Sequence, residues 1–184
     1  MVIFKLWRCV PADIIYKLAG AEKQKKIDAD MEQYLKTEAG NKRKGLSALN
    51  FLLLSGDKTF RSVFYYRLGR PGKLCKLFLP PVKAVEIYGE IAGGLCLSHN
   101  HMVVHPHTAG KNLHVCAGAV IGKNNGHYPT IGDNVYIGAN STVIGDIVIG
   151  SDVIILPGTV VTKSLPQGAV CGGNPMQIIK DAKR

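Results

Sequence analysis

Residues Ile131–Val161 read IGDNVYIGANSTVIGDIVIGSDVIILPGTVV, and this stretch decides the fold. An aliphatic side chain returns at every sixth position: Ile131, Ile137, Val143, Ile149, Ile155 and Val161. Residues six apart on an α-helix point to opposite faces, so no helix buries this pattern on one side. A strand tolerates the period, but a meander of hairpins has no reason to space its turns evenly. A fixed short repeat denotes a solenoid, and a period of six denotes a parallel β-helix in which three hexapeptides make one triangular coil. Aliphatics eighteen apart then stack inside the coil, Ile131 over Ile149 and Ile137 over Ile155. Gly often follows the aliphatic, at 122, 132, 138 and 150, and is read as accommodating tight corners. Small or β-branched residues precede it by two, as at Ala119, Val135, Ser141, Val153 and Thr159.

Working backwards, the same step lands on Val85, Ile91, Leu97, Val103, Ala109, Val115 and Ile121. From Ile121 to Ile131 the interval is ten, four more than the period. The surplus must leave the coil as a loop, and His127 lies in it. Loops at the edge of a rigid scaffold are where sites are built.

Outward from the repeat, the chain changes character near Pro80-Pro81. Of 184 residues, 1–80 carry 16 Lys or Arg against 7 Asp or Glu, a net of +9, whereas 81–184 carry 7 against 6, a net of +1. Only 6 of the 21 Gly fall in the first part. We therefore expect an α-helical N-terminal region, residues 1–80, and a β-helix with a short C-terminal tail, residues 81–184. Apolar spacing predicts helices over Asp13–Ala39 with Gly40 as a stop, over Leu46–Leu54 and over Phe60–Leu68, where Phe60, Val63, Phe64 and Arg67 share neighbouring turns. Leu74–Leu79 leads to the Pro pair.

Composition excludes several classes. At 46% apolar and 20% charged the chain has enough to build a core and is no disordered tail. The longest stretch without Asp, Glu, Lys or Arg, Ile91–Gly110, carries four His and a Pro, which does not suit a lipid-facing helix. Met1–Val10 is interrupted by Lys5 and Arg8, so no secretory segment is expected there. Five Cys without CxxC spacing suggest free thiols in a reducing compartment, hence a cytoplasmic location. No nucleic-acid motif is present. The basic N-terminal part reads first as a solvated helical face and second as a contact with an anionic membrane.

The segments Ile131-Gly-Asp-Asn-Val-Tyr-Ile-Gly-Ala-Asn140, Val160-Val-Thr-Lys163 and Gly172-Gly-Asn-Pro175 resemble the hexapeptide-repeat acyltransferases. Within that superfamily, Leu97-Ser-His99, Gly126-His-Tyr-Pro-Thr-Ile-Gly132 and Phe60–Arg67 are most similar to the serine O-acetyltransferase branch. The resemblance implies a left-handed β-helix, a homotrimer with active sites between subunits, acetyl-CoA as acyl donor, and direct transfer without an acyl-enzyme. The handedness is implied by the resemblance alone, since general crossover rules favour the right-handed sense. The cysteines are then not needed as nucleophiles.

The same resemblance assigns roles. His99 matches the general base, which takes the proton of an attacking hydroxyl and returns it to the thiolate; imidazole suits that task near neutral pH. Glu86, in Val85-Glu86-Ile87, matches the carboxylate that orients the base. His127 matches a residue lining the acceptor pocket that steadies the oxyanion. Ala139 and Pro157 match positions flanking the pantetheine arm, and Thr162, Lys163 and Lys180 match donor-site residues, the lysines suiting phosphates. Ser98 and Gly126 stand where serine acetyltransferases carry Asp and Arg, the charges that meet the amino acid. The acceptor is therefore open between serine, in cysteine biosynthesis, and a sugar hydroxyl of a surface-polysaccharide precursor. The remaining histidines, His101, His105, His107 and His114, read as surface or satisfied residues. No metal is expected, because residues six apart sit on adjacent faces and one chain gathers no three imidazoles; a metal-binding or purely structural β-helix trimer is the remaining alternative.

Overall fold

The computed structural model describes residues 3–37, 46–56 and 58–180. Residues 85–172 form a left-handed parallel β-helix of about five turns with three flat faces. The first face stacks Val85–Ile87, Met102–Val104, Val120–Gly122, Thr142–Ile144 and Val160–Val161. The second stacks Glu90–Ile91, Thr108–Ala109, Thr130–Ile131 and Val148–Ile149, and the third Cys96–Ser98, His114–Cys116, Tyr136–Ile137, Ile154–Ile155 and Val170–Gly172. From Val85–Ile87 to Thr142–Ile144 each strand pairs in parallel with the strand three later, and Ile154–Ile155 pairs in parallel with Val170–Gly172, so each coil rests on the one before.

The repeat places its aliphatics as anticipated. Ile131 pairs with Ile149 and Ile137 with Ile155, and all four are buried. Burying an aliphatic of this size contributes roughly 1.5–3 kcal/mol each. The residues two before them are buried as well, and Ser141 and Thr159 meet the Leu156 carbonyl through their hydroxyls at 3.0 and 2.6 Å. The glycines serve a different purpose from tight turning. A Cβ on Gly138 would lie 2.5 Å from the Pro157 nitrogen, and one on Gly150 would lie 2.5 Å from the Gln167 nitrogen. Gly132, Gly138 and Gly150 are there because successive coils approach too closely for a side chain, whereas a Cβ on Gly122 would meet nothing nearer than 4.0 Å. The left-handed corner conformation falls instead to Asn112, Asn134 and Asp152, with φ of 56–60°. Their side chains form a ladder along one edge, Asn112 Nδ2 donating to Asn134 Oδ1 and Asn134 Nδ2 to Asp152 Oδ1. Short polar side chains tolerate that conformation best.

One position departs from the six-residue count. Val103 pairs with Val120 and faces outward, whereas Met102 and Val104 are buried. Four residues (99–102) separate Ser98 from Val103, against three (117–119) between their partners Cys116 and Val120. The corner carrying His99 therefore holds one extra residue, which also shifts His105 beside Gly122 rather than Lys123. The larger slip lies where the count failed: Thr108 pairs with Thr130 across 22 residues, and Thr130 with Val148 across 18.

The helices are η-type Ile3–Cys9 and then α1 (Val10–Leu18), α2 (Ala21–Thr37), α3 (Ala48–Leu54), α4 (Thr59–Leu68) and α5 (Gly72–Phe78). The single helix anticipated over Asp13–Ala39 is two, because Ala19 turns extended at ψ 140° and Gly20 separates the halves. Gly40 lies outside the described residues. Ser47 caps α3, its Oγ accepting from the Asn50 N–H. Helix α5 was not anticipated from the sequence.

These helices close the open edge of the first coil, which has no preceding coil to satisfy its backbone. Asp30 accepts from the Gly94 and Leu95 N–H groups at 2.8 and 2.7 Å and is paired with Arg67, whose Nη2 donates to the Ala92 carbonyl at 2.7 Å. The Thr59 hydroxyl donates to the Leu97 carbonyl, and Tyr34 Oη accepts the Leu97 N–H. An unpaired strand edge is a template for aggregation, and polar side chains here take the place of a neighbour. At the other end Gln177–Lys180 pairs antiparallel to Val170–Gly172 and ends the third face.

Candidate active site

The sequence-derived candidates fall on two edges of the prism. The first edge joins the third face to the first. His99 heads it, stacked on Ala117, with Ala139 next and Pro157 after that. The connection is continuous in the backbone: Asn140 N–H donates to the Ala117 carbonyl and Gly158 N–H to the Ala139 carbonyl, each at 2.8 Å. Coils stack at strand spacing, about 4.8 Å. His99 and Ala139 are thus roughly 10 Å apart along this edge, and Pro157 is one coil further.

The extra corner residue explains how His99 is presented. His99 and His101 both adopt left-handed backbone, φ 69° and 59°, and both are exposed. Asn112, Asn134, Asn140 and Asp152 share this conformation and histidine is among the residues that adopt it most readily, so it marks a corner of the coil. His99 opens into a groove of about 690 Å³ that also meets Asn100, Pro80, Pro81, Lys58 and Lys83. The imidazole therefore faces a concave, cationic space between the helices and the first coil.

Glu86 is exposed on the outward side of the first strand, paired with Val103. Among the described residues no hydrogen bond joins it to His99. The Ser98 hydroxyl is engaged elsewhere: it lies 2.8 Å from His114 Nε2. Burial lowers the His114 pKa below its ordinary value, and the ring sits edge-on to Tyr136, whose Oη accepts from Cys116 Sγ. His114, read from sequence as a surface or satisfied residue, is half-buried and satisfied by Ser98, the neighbour of His99 in the chain.

The second edge joins the first face to the second. Here the four surplus residues form a hairpin, Asn124 and His127 exchanging backbone hydrogen bonds at 3.0 and 3.1 Å. Its two central residues, Asn125 and Gly126, have φ of 51° and 86°, the signs required for a type I′ turn. His127 and Gly126 are exposed at the tip. Tyr128 folds back onto His105, ring centroids 4.0 Å apart, and His105 in turn lies over Tyr88 at 4.9 Å. Thr162 and Lys163 leave the last strand of the first face on this same edge, and Lys180 lies on the terminal strand of the third face; all three are exposed. Within one chain the structure thus brings His99, Ala139 and Pro157 together, and separately aligns His127 with Thr162 and Lys163. The width of the first face lies between the two sets.

The thiols are not arranged as nucleophiles. No disulfide joins any of the five cysteines; burial pushes Cys9 up to about 11 and raises Cys75 and Cys171, so the thiolate is scarce in these three. Among the described residues no three His, Cys, Asp or Glu side chains converge where they could hold a metal ion. No helix among the described residues is long and apolar enough to cross a membrane.

A triangular prism of coils with a single hairpin thrown from one edge is the form a hexapeptide repeat builds, and part of the chain is similar to transferases that carry such a repeat. Residues 128–163 match the family "Bacterial transferase hexapeptide (six repeats)". The chain is 39% identical over 79 residues to a 2,3,4,5-tetrahydropyridine-2,6-dicarboxylate N-acetyltransferase of Staphylococcus aureus, covering 41% of this chain and 33% of that protein. It spans about a third of the length of that curated relative. Among solved structures it is similar to the serine acetyltransferase of Neisseria gonorrhoeae in complex with serine, with a TM-score of 0.69 and 25% identity over 89% of this chain and 71% of that one. The Brucella abortus serine acetyltransferase in complex with coenzyme A shares the fold with a TM-score of 0.65 at 20% identity, covering 93% and 72% of the two chains.

Proposed function

We propose that the chain is an O-acetyltransferase that moves an acetyl group from acetyl-CoA to a hydroxyl, acting in the manner of the serine acetyltransferases. The observation that carries this reading is the first edge: an exposed imidazole at its head and, two and three coils below, the small and proline residues that match the pantetheine-flanking positions. A donor laid along that edge would point its thioester at His99. His99 takes the proton from the acceptor hydroxyl, the oxygen forms a bond to the thioester carbonyl carbon, and collapse of the tetrahedral species breaks the C–S bond. The proton returns from imidazolium to the CoA thiolate, so no group is left modified. Glu86 serves the base as its orienting carboxylate.

The split of the candidates over two edges supports a homotrimer. Three copies about an axis parallel to the prism bring the first edge of each against the second edge of the next. His127 then meets His99 from the neighbouring chain and donates to the oxyanion, while Thr162, Lys163 and Lys180 supply contacts to the far end of coenzyme A. The enzyme acts in the reducing cytoplasm, a reading that the five cysteines without a disulfide support.

The acceptor is serine or a sugar hydroxyl. Gly126 offers no side chain to a carboxylate and Ser98 is held by His114, which favours the sugar; Lys58 and Lys83 lining the His99 groove suit an acceptor bearing a negative charge. The test is release of free thiol from acetyl-CoA with serine and with a panel of neutral, uronic and phosphorylated sugars. Turnover with an anionic sugar above that with serine supports this reading; turnover with serine alone makes the chain a serine acetyltransferase; no thiol release with any hydroxyl acceptor overturns acetyl transfer and leaves the structural-trimer alternative.

A further inference from the structure

The 3₁₀ segment Ile3–Cys9, helix α1 and helix α5 form one surface that the site does not use. Trp7 meets Phe78 at the C-terminal end of α5, edge to face at 6.2 Å, and Arg8 Nε donates to the Phe78 carbonyl at 2.7 Å. At the other end Leu18 and Pro71 line one groove. The two helices therefore lie side by side and antiparallel. Each turns an apolar stripe outward: Val10, Ile14 and Leu18 at intervals of four on α1, and Leu74 and Leu77 at an interval of three on α5. These are not grazing exposures. Leu77 is 83% exposed, Leu18 81%, Leu74 67% and Trp7 63%. Single exposed leucines are ordinary, but six large apolar side chains on adjoining elements mark an interaction face.

The chemistry around the stripe selects its occupant. Lys5, Lys17, Arg70, Lys73 and Lys76 are exposed on the same three elements or the turn leading into α5, and Asp13 is the one acidic residue in those elements. Lysines flanking an apolar stripe lie with their stems along the apolar surface and their ammonium groups at the headgroup level, and tryptophan favours the same depth. An apolar face with a basic rim carries the two signals that stable peripheral attachment requires. A second copy of this chain would set one basic rim against another, which the charge distribution disfavours.

We infer that this face is a docking surface for an anionic lipid bilayer, with α1 and α5 lying in the interface and the β-helix held off the membrane. The surface is separate from His99 and from both candidate edges, so it stands or falls independently of acetyl transfer. It would place the groove at His99, which lies at the helical end of the prism, near a membrane-borne acceptor.

Trp7 is the chain's single tryptophan and reports on the face directly. Intact protein is titrated with phosphatidylcholine vesicles and with vesicles containing phosphatidylglycerol. The expected result is a shift of Trp7 emission to shorter wavelength, with quenching by lipid brominated near the headgroup, for the anionic vesicles only. Leu74→Glu with Leu77→Glu abolishes the shift; both side chains are exposed, so folding is spared. Lys73→Gln with Lys76→Gln weakens partitioning on the order of 30-fold, from roughly fivefold per lysine near an anionic surface. The inference is overturned by unchanged emission with anionic vesicles, by equal response to neutral ones, or by the same shift on raising protein concentration without lipid, which would assign the face to a second copy.

Discussion

Removing residues 124–127 tests whether the hairpin is an addition to the solenoid or part of what holds it together. The deletion joins Lys123 to Tyr128 and shortens the step from Val120 to Thr130 to six, the interval that separates their partners Thr142 and Val148 in the following coil. The cross-coil register of Thr108 with Thr130 then falls to the regular eighteen. What is lost is small: two backbone hydrogen bonds between exposed residues, worth about 0.5–1.5 kcal/mol each, with a shorter loop offsetting part of that. No buried side chain is removed, since Asn124 through His127 are all exposed. Unfolding in urea should remain a single transition, with stability reduced by no more than about 2 kcal/mol. Acetyl transfer should behave differently. Removal of an oxyanion donor costs on the order of 100- to 1,000-fold in turnover, and the hairpin carries the residue proposed for that role. Urea titration by circular dichroism and thiol release at saturating acetyl-CoA measure the two quantities on one preparation. A deletion variant with undiminished turnover would remove His127 from the mechanism, and loss of cooperative unfolding would refute the reading of the hairpin as an insert in an otherwise continuous coil.

Three further outcomes follow from particular groups. Asp30→Asn leaves Arg67 buried without its counter-charge at the helix–coil junction, and should lower stability by about 3–5 kcal/mol in a urea titration; a loss below 1 kcal/mol would show that the junction does not depend on the pair. Burial holds the folded-state pKa of His114 below its ordinary value of 6.5, so on acidification the unfolded chain takes the proton first. Stability should therefore fall as pH drops below about 6.5, and His114→Gln should flatten that part of the curve; an unchanged slope would assign it to other groups. Lys163→Ala should raise the KM for acetyl-CoA about 5- to 30-fold, by roughly 1–2 kcal/mol of lost phosphate contact, with kcat little changed; an unaltered KM would leave Lys163 as a solvated corner residue.

The repeat was legible because one residue type does one job at a fixed interval. Each aliphatic from Ile131 to Val161 that the period picked out is buried, and the stacking eighteen apart is the observed pairing. The slip at Val103 was not legible: Met102, Val103 and Val104 are all apolar, so either register satisfies a hydrophobic count, and only the extra residue in the His99 corner decides between them. The break between α1 and α2 had a signal in Gly20, but the apolar spacing runs through it. Helix α5 follows a proline and is seven residues long, too short for periodicity to show. The hairpin's turn type was written in Asn125-Gly126, a pair that favours positive φ. The Ser98–His114 contact had no signal, since it runs diagonally between neighbouring coils and depends on the register of outward-facing residues. Likewise the division of the candidate residues over two edges needs the corners to be located, which a count of aliphatics does not do.

The account rests on His99 as the base. His99→Ala and His99→Asn, the latter retaining a residue suited to left-handed backbone, should both fold with the stability of the intact chain and lose at least 100-fold in acetyl-CoA thiol release with the preferred acceptor. Undiminished turnover in the well-folded His99→Asn protein would contradict the assignment.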